Sequence, residues 1–90
     1  MQDHADVAEL LAGIAALLAM HGHDTMAARL LGCTDALCER FGIARYALFR
    51  DAYITAMERV EARLGASALT RARATGRQHP IEDILSLIHI

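Results

Sequence analysis

The sequence predicts an all-α domain of about five helices, and three observations carry that prediction. Apolar residues recur at steps of three and four along most of the 90 residues, the spacing that lines one face of a helix. No stretch alternates at the period of two that a half-buried strand needs. Hydrophobic residues make up 54% of the chain but aromatics only 4%, so the core is expected to be knitted from Ala, Leu, Ile and Met, which permit close helix packing. A chain of this length holds one small core with a modest net stability.

The chain is expected to be organised around residues 10–41. Leu10, Leu11, Ile14, Leu17 and Leu18 read as the apolar face of a first helix, capped by Asp6 and running to about Met20. Gly13 inside it costs roughly 1 kcal/mol relative to Ala, and so reads as a site where another backbone approaches. Gly22 suits the left-handed position that ends this helix, and Asp24 then caps a second. On the second helix Met26, Leu30, Cys33, Leu37 and Phe41 form one line, with Ala27, Leu31, Thr34 and Cys38 beside it. So short a turn predicts an antiparallel hairpin over residues 5–41.

Gly42 stops the second helix. A third is predicted over residues 44–64, with Phe49, Ala52, Tyr53, Ala56, Met57, Val60 and Leu64 inward and Arg50, Asp51, Glu58, Arg59, Glu61 and Arg63 in water. Gly65 ends it, and a short helical tail fills residues 67–88. The tail's first piece, residues 67–75, has only Leu69 and Ala72 as clear anchors and is closed by Gly76. Pro80 opens its second piece, where Glu82 and Asp83 suit the helix dipole and Ile81, Ile84, Leu85 and Ile88 give an apolar stripe.

Nine arginines, no lysine and eleven acids leave a formal charge of −2, which argues against nucleic acid as the partner. The acids concentrate up to Phe41 and the arginines after it. Arg71, Arg73 and Arg77 form the one cationic cluster and are the candidate partner-contacting residues; a small DNA-binding helical domain is the alternative they raise. The first apolar run spans about sixteen residues and contains Glu9, short of the roughly twenty that cross a bilayer. No signal-peptide pattern follows Met1, so a cytoplasmic location is expected.

No catalytic, cofactor or metal site is expected. Cys33 and Cys38 are five apart on one helix, which sets their Cα atoms about 8 to 9 Å apart, too far to bridge. They read as small reduced core residues, since neither lies at a helix N-terminus that would activate a thiol. His21, His23 and Asp24 could offer ligands to a metal, but adjacent turn residues seldom make more than an adventitious site. Asp51, Glu58 and Glu61 stand among arginines on a wet face. No GxxxxGK[ST] phosphate loop is present.

The hairpin positions Leu11, Ile14, Ala15, Leu18, Gly22, Ala27 and Leu31 stand in the order of a tetratricopeptide repeat's packing positions. Over a longer span, LAGIAALLAMHGHDTMAARLLGCTDALCERFG, RDAYITAMERVEARLG and ATGRQHPIEDILSL resemble the C-terminal end of large bacterial multidomain regulators, LuxR-type or related. In that family a signalling ATPase is followed by tetratricopeptide-like repeats. Arg50, Tyr53, Gly76 and Arg77 carry the resemblance; two departures are the absence of proline at residues 43–47 and Arg73 where a bulky aromatic is frequent. It implies a non-catalytic scaffold or regulatory module whose partner is another protein or a neighbouring repeat, with a homodimer as the alternative. Five amphipathic helices in so few residues leave one stripe, on the first or the last helix, in need of cover.

Overall fold

In the computed structural model the described residues are 4–42 and 50–78, and they form four α-helices with no strand among them. These are α1 (His4–Met20), α2 (Asp24–Phe41), α3 (Arg50–Leu64) and α4 (Ala66–Gln78). The predicted Pro80 helix and the stretch 44–49 of the predicted third helix lie outside the described residues.

Local chemistry sets the reversals. Gly22 has φ +82°; its N–H donates to the Ala19 carbonyl at 3.2 Å and that of His23 to Leu18 at 2.8 Å, the paired bonds of a Schellman ending. The chain turns back within three residues, and α2 lies antiparallel to α1. Gly65, at φ +88°, ends α3 by donating to Glu61 at 2.9 Å, and its carbonyl accepts the Leu69 N–H at 3.0 Å, the first bond of α4.

Helix α2 is the centre of the molecule. Ala27, Ala28, Leu30, Leu31, Gly32, Cys33, Thr34, Asp35, Leu37 and Cys38 are all buried, a run that covers nearly the whole circumference of its middle turns. Helices α1, α3 and α4 close round it. Tyr53 of α3 lies at Asp35, and Arg63 at Asp24, so α3 also runs antiparallel to α2. Two clusters make the core. One joins Ala8, Leu11, Ala12 and Ala15 of α1 to Leu30, Leu31, Cys33, Leu37 and Cys38 of α2 and to Tyr53 and Ala56 of α3. The other gathers Ala19, Ala27, Ala28, Val60, Leu69 and Ala72 where α4 arrives.

The all-α prediction holds, with corrections to its details. The buried stripe of α1 is Ala8, Leu11, Ala12, Ala15 and Ala19, while Leu10 and Leu17 of the expected stripe face outward at 51% and 56% exposure. Because α1 is apolar nearly all round, spacing alone cannot choose a face, and close approach to α2 selects the line of small side chains. Asp6 sits in the first turn of α1, which begins at His4 and not after Asp6. Asp24 is the first residue of α2, and its carboxylate accepts from Arg63 instead of capping the helix. Gly76 does not close α4 but lies buried within it.

The glycine that permits close packing is likewise not Gly13, where an added Cβ would meet nothing within 4 Å. Gly32 and Gly76 have that role. A Cβ on Gly32 would overlap the backbone carbonyl of Arg73, and one on Gly76 that of Arg29. At the crossing of α2 and α4 each glycine therefore lies directly on the other helix's backbone, the arrangement that Cα–H···O contacts stabilise.

Gly32→Ala and Gly76→Ala are expected to force α4 off α2 and to cost at least about 2 kcal/mol each in urea unfolding followed by circular dichroism. Gly13→Ala, measured in dilute solution, should instead be neutral or stabilising by up to about 1 kcal/mol. Equal losses at all three positions would contradict the crossing described.

Candidate interaction surface

Three places in the fold carry polar or exposed groups that could act on another molecule. The first is the neighbourhood of Asp35, a carboxylate that is 0% exposed. The Tyr53 hydroxyl donates to its Oδ1 at 2.5 Å, and Arg73 Nη2 donates to its Oδ2 and, at 3.1 Å, to the Tyr53 oxygen. Each carboxylate oxygen is thus met by a donor from a different helix. Burial pulls the Arg73 guanidinium down, but the hydrogen bond and charge of Asp35, with Tyr53 behind them, outweigh it and raise its pKa. The cation is therefore fixed in place as a strut between α4 and α2, at the turn next to the Gly32 crossing. Net charge does not single Asp35 out among the eleven acids; its spacing does, since Asp35 follows Leu31 by four residues and so falls on the buried side of α2.

The second place is the arginine cluster. The structure separates its members by what they touch. Arg73 is committed to Asp35 and Tyr53. Arg77 makes a two-pronged pair with Glu39, through Nη1 at 2.9 Å and Nη2 at 2.5 Å, and the hydrogen bonds and charge of Glu39 raise its pKa. Arg71 is exposed on α4. Arg73 thus packs α4 against α2 by charge rather than by a ring. Cys33 and Cys38 are buried in the first core cluster. His21 and His23 are exposed in the turn, and Asp24 pairs with Arg63. Among the described residues no group of three or more His, Cys, Asp or Glu is placed to hold a metal ion.

The third place is the outer face of α1, and it is the one with unpartnered apolar area. Leu10, Leu17 and Met20 are exposed at 51%, 56% and 57%. Asp6, Glu9, Leu10, Gly13, Ile14 and Leu17 line an open groove of about 500 Å³. Its floor is apolar and its polar groups are two carboxylates; neither a nucleophile, an imidazole nor a cation is among these lining residues. Gly13 leaves a gap midway between the two leucines. Among the described residues no helix is long and apolar enough to cross a membrane. Comparison with protein-family models, with curated proteins and with solved structures finds no match to this chain.

The Asp35 strut is a stability element, and its members should respond as one unit. Tyr53→Phe is expected to cost about 1 to 3 kcal/mol by leaving a buried charge one donor short. Asp35→Ala should cost more, about 3 to 5 kcal/mol, and the two losses should add up to more than the double variant loses. Arg77→Ala breaks an exposed pair and should not measurably change the urea midpoint.

Proposed function

We propose that this chain is a non-catalytic helical module for protein–protein contact. The setting is the one its resemblance implies, a cytoplasmic scaffold or regulatory segment of a bacterial signalling or transcription regulator. The observation that carries this reading is the outer face of α1, where two leucines and a methionine stand more than half exposed on one side of one helix. Single exposed apolar residues are ordinary, but neighbours on one helix face around a groove mark a surface for another chain. A tetratricopeptide-like hairpin uses the outer side of its first helix to meet the preceding repeat, and α1 offers that side here.

The polar groups fit the same reading. The most buried charge, Asp35, is spent on holding three helices together. Two of the three clustered arginines are engaged by Asp35 and Glu39 of α2, which reduces what that cluster offers to a phosphate backbone and favours the protein-contact reading over the DNA-binding one.

The test uses a neutral solvatochromic dye, Nile red, and the full chain in dilute solution. Leu10→Glu and Leu17→Glu should each leave the urea midpoint almost unchanged, since surface substitutions lie within about 0.5 kcal/mol, while the blue-shifted dye emission falls. Dye emission that is absent in the parent chain, or unchanged from the parent in both variants, would remove this face as a contact surface.

A further inference from the structure

A single residue separates α3 from α4, and its own bonds are those of an unbroken helix. The Gly65 N–H donates to the Glu61 carbonyl at 2.9 Å and the Gly65 carbonyl accepts the Leu69 N–H at 3.0 Å, each the bond that a helix running straight through would make. What breaks the helix is the Gly65 backbone at φ +88°. Beyond it the N–H groups of Ala66, Ser67 and Ala68 make no backbone hydrogen bond among the described residues. Straightening the link would take Gly65 to a φ of about −63° and bring those three N–H groups to the carbonyls of Ala62, Arg63 and Leu64. Helix α4 is held chiefly by α2. Gly76 and Gly32 fit the two together, Arg73 and Arg77 pair with Asp35 and Glu39, and Leu69 joins Ala27 and Ala28 in the second core cluster. None of these contacts requires α4 to come from the same chain.

We propose that Gly65 is a hinge and that two copies of this chain pair by exchanging α4: in each copy residues 50–78 straighten into one helix, whose last part lies on α2 of the other copy. Arg73 of each copy then meets Asp35 of the other, and the Gly32 and Gly76 crossing forms between chains. The surface that α4 leaves on α2 names its own occupant. It holds a buried carboxylate that takes a guanidinium, beside a glycine with no room for a methyl group between the helices, and a second α4 repeats that fit. Because the exchange keeps these contacts, its balance is set at the hinge. The backbone bonds gained in each copy favour it, and the lost free motion of one chain opposes it, less so as concentration rises. Ala62, Gly65 and Ala66 lie three and four apart, all exposed, and leave room for the two straightened helices to pass each other. The inference goes beyond the contact-surface reading, since the outer face of α1 has no part in it.

Light scattering of the full chain from micromolar to near-millimolar concentration should show the mass rising from one chain to two. Gly65→Ala should lower the concentration of half-dimerisation at least about tenfold, because alanine is strained at positive φ and favoured within a helix, in both copies. Ala66→Pro should abolish the dimer and leave a folded monomer, since proline suits the first position of α4 but removes an N–H and clashes inside a continuous helix. For the exchange itself, a Glu39→Cys chain and an Arg77→Cys chain are refolded together from urea and treated with a short bismaleimide, with the parent chain as control for its buried cysteines. The two positions pair across α2 and α4, so exchange predicts a covalent product holding one of each chain, lost when both also carry Ala66→Pro. A single-chain mass of the parent at every concentration overturns the proposal, as does a dimer that survives Ala66→Pro or one that gives no mixed crosslink. A folded Gly65→Ala chain that dimerises no more tightly than the parent also overturns it; should that variant fail to fold, the parent and Ala66→Pro chains still decide.

Discussion

The rest of this structure depends on the contact of two backbones at Gly32 and Gly76. A helix can be enclosed on nearly every side only if its neighbours come close, and a single methyl group at either glycine would occupy the position of a carbonyl on the other helix. Because α4 lies down directly on α2, Arg73 reaches Asp35 and Arg77 reaches Glu39. Leu69 and Ala72 reach the alanines of the second core cluster for the same reason. With the crossing opened, the buried carboxylate would lose its cation and α4 would keep only its short link to α3.

The same economy of size governs the other interfaces. Alanine is the commonest buried residue of α1, at positions 8, 12, 15 and 19, and small side chains bury little area apiece. Close packing recovers some of that through many short-range contacts, and the Asp35 strut adds specificity that a uniform alanine surface lacks. Alanines alone would let α3 and α4 slide along α2; a carboxylate with one donor from each of them fixes the register of both. The price is that the larger aliphatic side chains of α1 are left on its outer side. The face that is best for building the domain uses the small residues, and the large ones remain outside it.

Much of the fold was legible in the residues. The hairpin, its turn at Gly22 and the ends at Gly42 and Gly65 follow from helix periodicity and from the left-handed backbone that glycine adopts without strain. Leu11, Ala27, Leu31, Tyr53 and Val60 are buried as their spacing implies, while Ile14 and Leu18 are half-buried. The candidate surface was less legible. Periodicity assigned Leu10 and Leu17 to the core, since a helix apolar on most of its circumference has no contrast from which to choose a side.

The sequence by itself determined that this protein is helical, where its helices reverse and which residues of α3 turn inward, because these are matters of local backbone preference and of a polar-apolar contrast along one helix. Only the tertiary structure decided which side of α1 is covered, which glycines are crossings and which is open, and that Asp35 is a buried strut and not one more solvated acid. Those depend on the distance between two helices that are far apart along the chain, and no spacing within either helix encodes that distance.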